Sequence, residues 1–323
     1  SAASDVYKRQ TVDEAVVAYG AARIVATDEA TGAPVANVCA SLQTVRPPDR
    51  RECAADGGVI VFDDLPPFLP YTLSVWAQDG AHWPLNFQSV SLSPGLTTEV
   101  AVPMRAAAAI ATTVRDAATE APLERVCVET HAVPVVGVLD ADYLDHCSDA
   151  TGRLVIGPIE PGTYQLLAKP LDERYGMQWV GVDGATGDLR DARVLTVNVG
   201  EPIVLPDIEV DPAGTVTGTV TDRATGAPAA GVCVYPYALD PRVGLGFEKN
   251  CTNSSGVYTI GGLGPYDWPL EFADTSGQHA WQWSGDAADR FAAVPVRVLP
   301  NASVTANAAL VPGGTIAGQT LNK

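Results

Sequence analysis

The chain has 323 residues, 46% hydrophobic and 18% charged. That is a globular balance, and the length suits about three domains of roughly 100 residues each. The formal net charge of −18 excludes a nucleic-acid partner, whose phosphates need a positive face. No apolar run approaches the ~18 residues needed to span a bilayer, and the longest bland stretch is Ala106–Ala111. With 30 Gly and 25 Pro among many Val and Thr, the composition predicts short strands joined by frequent turns and an all-β fold.

In chain order, Asp5-Val6-Tyr7-Lys8-Arg9-Gln10 resembles the in-frame translation of a sequencing-library adapter. Residues 1–10 are therefore read as no part of the fold, and the true start of the protein is expected elsewhere. Residues 11–19 read as the closing strand of a preceding repeat, because Val12–Tyr19 resembles Val304–Val311. Then comes internal repetition. The pattern D-x-A-T-x-A-P-x-x-x-V-C occurs at Asp28–Cys39, Asp116–Cys127 and Asp222–Cys233. Each copy is followed by C-x4-G-x6-[LI]-x-P, at Cys53–Pro67, Cys147–Pro161 and Cys251–Pro265. The phase predicts sandwich repeats over 20–107, 108–213 and 214–313, with 314–323 as the opening strand of a fourth, since Gly314–Gly318 copies Gly214–Gly218.

Within the third repeat, Thr215–Val220 alternates with the period of a strand and Thr225-Gly226-Ala227-Pro228 turns the chain. Strands are predicted at Val232–Tyr235, Val257–Ile260, Trp268–Phe272, Val296–Leu299 and Val304–Leu310. About seven short strands per repeat is the count of a small antiparallel sandwich. Pro103–Ala108 and Asp211–Gly214 read as very short linkers, which predicts touching neighbours.

These blocks resemble the carboxypeptidase regulatory-like domain, a transthyretin-like (prealbumin-type) sandwich related to the Cna-B modules of bacterial surface proteins. The residues that carry the resemblance are Gly214–Asp222, the Thr-Gly-Ala-Pro turn, Asp149–Ile156 and Pro161-Gly162-Thr163-Tyr164. It implies tandem Ig-like/prealbumin-like β-sandwich repeats of a secreted bacterial protein, used as spacers, stalks or binding platforms. Many Cna-B modules carry a Lys–Asn isopeptide bond from a first-strand Lys. Here Lys8, Lys169, Lys249 and Lys323 all lie elsewhere, so that crosslink is excluded and the cysteines look like its replacement.

Six cysteines allow fifteen pairings. Two per repeat, at the same two places, favour Cys39–Cys53, Cys127–Cys147 and Cys233–Cys251, one disulfide per repeat. The rival reading is a zinc site, but no C-x-x-C occurs and only His146 adjoins a cysteine. Disulfides imply an oxidising compartment, outside the cell or on its surface.

No catalytic site is legible. His82, His131, His146 and His279 do not recur at matching sequence positions, and no G-x-S-x-G, H-E-x-x-H or phosphate loop occurs. The weak metal candidate is the acidic cluster Asp140, Asp142, Asp145 and Asp149, which lacks the glycine and terminal glutamate of an EF-hand loop. It reads first as a solvated loop, and no cofactor is expected. Trp281 and Trp283, with Trp179 at the position matching Trp283, are candidate ligand-binding residues, since aromatic faces stack on sugars; the plainer reading packs them onto the sandwich. Asn250, Asn253 and Asn301 each open a glycosylation sequon. The function expected is a non-catalytic extracellular stalk, spacer or fibre segment. Its partners would be neighbouring repeats, with self-association or a surface glycan as further partners. The alternatives are a carbohydrate-binding module and a non-catalytic appendage of a secreted hydrolase. In this sequence the two end strands, Val12–Tyr19 and Thr315–Leu321, should fray rather than pair with another copy.

Overall fold

The computed structural model describes residues 18–44, 49–133, 146–200, 202–236 and 250–314. Ser1–Val17, Asp140, Asp142, Asp145 and Thr315–Leu321 therefore lie outside the described residues. The described chain is all-β apart from single short turns of 3-10 helix, such as Leu189–Asp191. It divides into two compact units, through Ala106 and from Ala107.

The first unit contains β1 (Gly20–Asp28), β2 (Val38–Thr44), β3 (Arg50–Ala54), β4 (Val59–Leu65), β5 (Tyr71–Ala77), β6 (Leu85–Val90) and β7 (Thr97–Met104). One sheet has the order β4-β1-β7 and the other β3-β2-β5-β6. Strict alternation in β1 and β5 gives each an apolar face. Ile24, Phe62 and Val102 from the first sheet meet Leu42, Leu73 and Val75 from the second, all fully buried or nearly so. β1 pairs antiparallel with β4 but parallel with β7, from Ala21↔Thr97 to Asp28↔Met104. A parallel pair needs a long crossover, and here the rest of the repeat supplies it.

The second unit holds two further repeats. The earlier contains β8 (Ala108–Asp116), β9 (Val126–Ala132), β10 (Arg153–Ile159), β11 (Gly162–Pro170), β12 (Gln178–Val180), β13 (Ala185–Thr186), β14 (Leu195–Val197), β15 (Ile203–Val204) and β16 (Ile208–Val210). The later contains β17 (Gly214–Asp222), β18 (Val232–Tyr235), β19 (Val257–Leu263), β20 (Asp267–Trp268), β21 (Glu271–Asp274), β22 (Gln282–Trp283), β23 (Val296–Arg297), β24 (Ser303–Thr305) and β25 (Ala308–Leu310). Their opening strands β8 and β17 are again central, antiparallel to β10 and β19 and parallel to the closing strands. Each closing strand is broken in two, at Pro206 in the earlier repeat and at Ala306-Asn307 in the later, where sequence reading predicted one continuous strand, Val304–Leu310. Proline has no N–H for the ladder, which accounts for the first break.

Pro103 and Met104 belong to β7, and Ala108 and Gly214 open strands. The predicted linkers are therefore shorter than read from sequence.

The two repeats of the second unit share core. Leu167, Trp179, Leu189 and Ala192 of the earlier one pack in one cluster with Val216, Tyr258, Trp268 and Phe272 of the later. The Met177 N–H donates to the Gly262 carbonyl at 2.8 Å, and the Gly264 N–H to the Met177 carbonyl at 2.9 Å. A Cβ on Gly176 would overlap the backbone of Gly264, so this joint depends on glycine. The Tyr266 hydroxyl donates to Asp211 across the same joint, and burial together with that carboxylate pushes its pKa well up.

Candidate functional site

The repeated sequence motif builds one structural clasp three times. In the first turn, Asp28 Oδ1 accepts from the Thr31 N–H at 2.8 Å and from the Thr31 hydroxyl at 2.7 Å. Asp222 does the same with Thr225, and Asp116 accepts from Ala118 and Thr119 N–H, both at 2.8 Å. This use of Asx chemistry explains why Asp opens the motif. The hydrogen bonds to Thr31 and Thr225 hold Asp28 and Asp222 below the ordinary carboxylate range, and the Tyr175 hydroxyl does so for Asp116.

The second oxygen of each Asp meets a residue from far along the same repeat. His82 Nε2 lies 3.4 Å from Asp28 Oδ2, the Tyr175 hydroxyl donates to Asp116 Oδ2 at 2.6 Å, and His279 Nε2 lies 3.1 Å from Asp222 Oδ2. Each of the three then forms a bridge with the chain that leaves the repeat: His82 with Ala106, Tyr175 with Pro212, His279 with Pro312. The next N–H continues it: Trp83 to Arg105 at 2.8 Å, Gly176 to Asp211 at 2.9 Å, Ala280 to Val311 at 3.0 Å. Two of the four histidines, His82 and His279, do share a structural position, contrary to the sequence reading. His82, Tyr175 and His279 share one position, but the intervening loops differ in length and hide the register. His279 is held further by Asp274, whose Oδ2 lies 2.7 Å from Nδ1. Burial raises Asp274, but the hydrogen bonds from Ser276 and His279 outweigh it and its pKa lies low.

The disulfides are Cys39–Cys53, Cys127–Cys147 and Cys233–Cys251, closing sequence separations of 14, 20 and 18 residues. Each ties the second strand of its repeat to the neighbouring segment, at directly opposed positions.

The predicted aromatic residues separate. Trp179 is fully buried and packs edge-on against His131 with ring centroids 4.9 Å apart, so it is removed as a ligand contact. Its partner Leu167 and the shared core cover it. Trp281 is 45% exposed and donates its Nε1–H to the Asp274 carbonyl at 3.2 Å. Trp283 is half-buried in β22, with its N–H on the Ala287 carbonyl at 2.8 Å. Trp281 falls just outside that strand.

Of the acidic cluster, Asp149 alone is described. Its Oδ1 accepts from Thr151 N–H, Thr151 Oγ1 and Arg153 N–H at 2.8, 2.6 and 3.1 Å, a turn-capping role that Asn253 repeats with Ser255 and Val257. No cluster of three potential metal ligands occurs among the described residues.

Sequence reasoning missed one buried ionic group. Glu129 in β9 is 5% exposed, with Lys169 Nζ at 2.7 Å and His131 Nε2 at 3.3 Å. Burial raises the Glu129 carboxyl, but the bonds and charges of His131 and Lys169 outweigh it and the pKa lies below the ordinary value. The other repeats place Ser41 and Tyr235 at this position, so no recurrence signals it in the sequence. The arrangement is a neutralised, partnered charge.

No family model and no curated protein matches the chain. Among solved structures it is similar to a streptococcal ancillary pilin, at 11% identity over 90% of this chain and 99% of that one, with a TM-score of 0.28. It is also similar to the minor pilin of Streptococcus agalactiae, at 16% identity over 62% and 88%, with a TM-score of 0.26. A third is the Bacillus anthracis TIE protein, at 11% identity and a TM-score of 0.25; the chain covers 51% of its length. Scores this low assign neither a family nor an activity.

Proposed function

We propose that the chain is a non-catalytic extracellular structural protein, a segment of a stalk, spacer or surface fibre, whose modules span 20–107, 108–213 and 214–313. The observation that carries this reading is the clasp. The same Asp, a long-range partner at the same position (His82, Tyr175 or His279) and the same exit segment recur in all three repeats. What is repeated is how a module is closed and left, not a cleft with reactive groups. Within-repeat disulfides support an oxidising location, because thiols stay reduced in most cytosols. Intact cells of the native host, probed with antibody against residues 20–313, should be labelled without permeabilisation. Labelling only after lysis would overturn the reading.

A second reading rests on Trp281, the tryptophan of the predicted pair that keeps 45% exposure. Its ring would stack on a surface glycan. Binding on a glycan array that Trp281→Ala abolishes would support it, and an array blank for the unaltered chain would remove it.

A further inference from the structure

We propose that each repeat is built to resist tension along the chain, through a parallel ladder between its first and last strands that a pull on the ends loads in shear. The inference deepens the structural reading above and rests on it for its biological purpose. In the first repeat, force enters at Gly20, the start of β1, and leaves at Met104, the end of β7. These strands are neighbours and run parallel, with Ala21 beside Thr97 and Asp28 beside Met104. A pull therefore slides one strand past the other along their length. The hydrogen bonds lie across the direction of pull and stretch together, whereas a ladder pulled from one end yields rung by rung.

The ends of this ladder are closed by the Ala21 N–H on the Leu96 carbonyl at 3.0 Å and the Glu29 N–H on the Met104 carbonyl at 2.9 Å. The alternation they set aims the Thr98 N–H at the Ala21 carbonyl. The Arg23–Glu99 ion pair, at 2.7 Å, spans the same two strands.

The same topology recurs with breaks. β8 is paired by β15 over Ile203–Val204 and by β16 over Ile208–Val210, with Pro206 between. β17 is paired by β24 over Ser303–Thr305 and by β25 over Ala308–Leu310. Side chains patch both breaks: the Thr112 hydroxyl donates to the Pro206 carbonyl at 2.9 Å, and the Thr219 N–H to Asn307 Oδ1 at 2.9 Å. The first repeat, with its unbroken ladder, is the strongest of the three. The disulfides lie off this path, in the opposite sheet, and keep their loops closed after a ladder fails.

Single-molecule pulling on the full chain tests this. Reduction lengthens each unfolding event by the stretch its disulfide had closed, 14, 20 or 18 residues, which assigns events to repeats. The first repeat should rupture at the highest force. Thr98→Pro, half-buried on the edge strand β7, should lower that force at least twofold. Leu73→Ala, in the core but off the ladder, should lower thermal stability with a clearly smaller effect on force. A second geometry needs no substitution in the ladder. Handles beside Gly20 and Gly95, at the same end of β1 and β7, would peel the strands apart at several-fold lower force. Equal forces in the two geometries, or a first repeat no stronger than the others, would overturn the inference. Such a result on purified chain leaves surface labelling untouched, so the two readings fail separately.

Discussion

A methyl group on Gly152 would sit 2.5 Å from the Val114 carbonyl oxygen, and the residue holds a φ of +77°. Gly58 and Gly256 repeat this, with φ of +62° and +73° and overlap with the carbonyls of Ala26 and Val220. Each of the three glycines also returns a carbonyl to the opening strand at 2.7–2.8 Å, on Ala26, Val114 and Val220. The glycine of the second sequence pattern is thus required twice over, for backbone angle and for space. Gly226 separates the two demands: its φ is +70° but nothing lies within 4 Å of a Cβ. Gly226→Ala should cost about 1 kcal/mol and Gly256→Ala roughly 2–3 kcal/mol or more. Urea unfolding of the two variants checks the order; equal losses would show that the close approach relaxes freely. The carboxylates give a second residue-scale expectation. Asp28, Asp116, Asp222, Asp274 and Glu129 all have folded pKa values below their ordinary ones. A depressed pKa stabilises the fold above the unfolded value, near 4, and that stabilisation is lost as pH falls through the folded one. Urea midpoints should therefore hold from pH 7 to about 5 and drop steeply below 4. A midpoint that rises on acidification would contradict the clasp.

At the scale of elements, alternation made the opening strands legible: Gly214–Asp222 reads apolar-in and is buried at every second position through Val220. The turns were legible because Asp, Thr, Gly and Pro each have one backbone job there. The closing strand of the third repeat was legible as Val304–Leu310, but its break and its parallel pairing were not, since neither alternation nor turn residues reveal whether a pairing is parallel or where it breaks. Trp179 and Trp283 share a sequence position, yet one is fully buried and the other half-buried, and the first packs into a core shared with the following repeat. Periodicity along one strand cannot report what lands on it later. The Glu129–Lys169 pair was hidden for the same reason: its partners are 40 residues apart. The disulfides were legible from position alone. Replacing both Cys233 and Cys251 with Ser should cost the third repeat about 3 kcal/mol, by freeing an 18-residue loop in the unfolded chain.

For the whole molecule, what matters is how repeats are joined. In the second unit the joint is made of backbone: Met177 pairs with Gly262 and Gly264, Gly176 allows the approach, and Gly187 lies against Trp268. Two repeats sharing a core should melt together. Calorimetry should give the second unit a single transition, and Gly176→Val should split it. Two transitions in the unaltered chain would show that the shared core does not couple them. The central claim is that the chain is a tandem array of separately stapled sandwiches from an oxidising exterior. Peptide mapping without reduction, on protein recovered from the native host, tests it most directly. Three links are predicted, Cys39–Cys53, Cys127–Cys147 and Cys233–Cys251; free thiols, or a link between two repeats, would contradict the account.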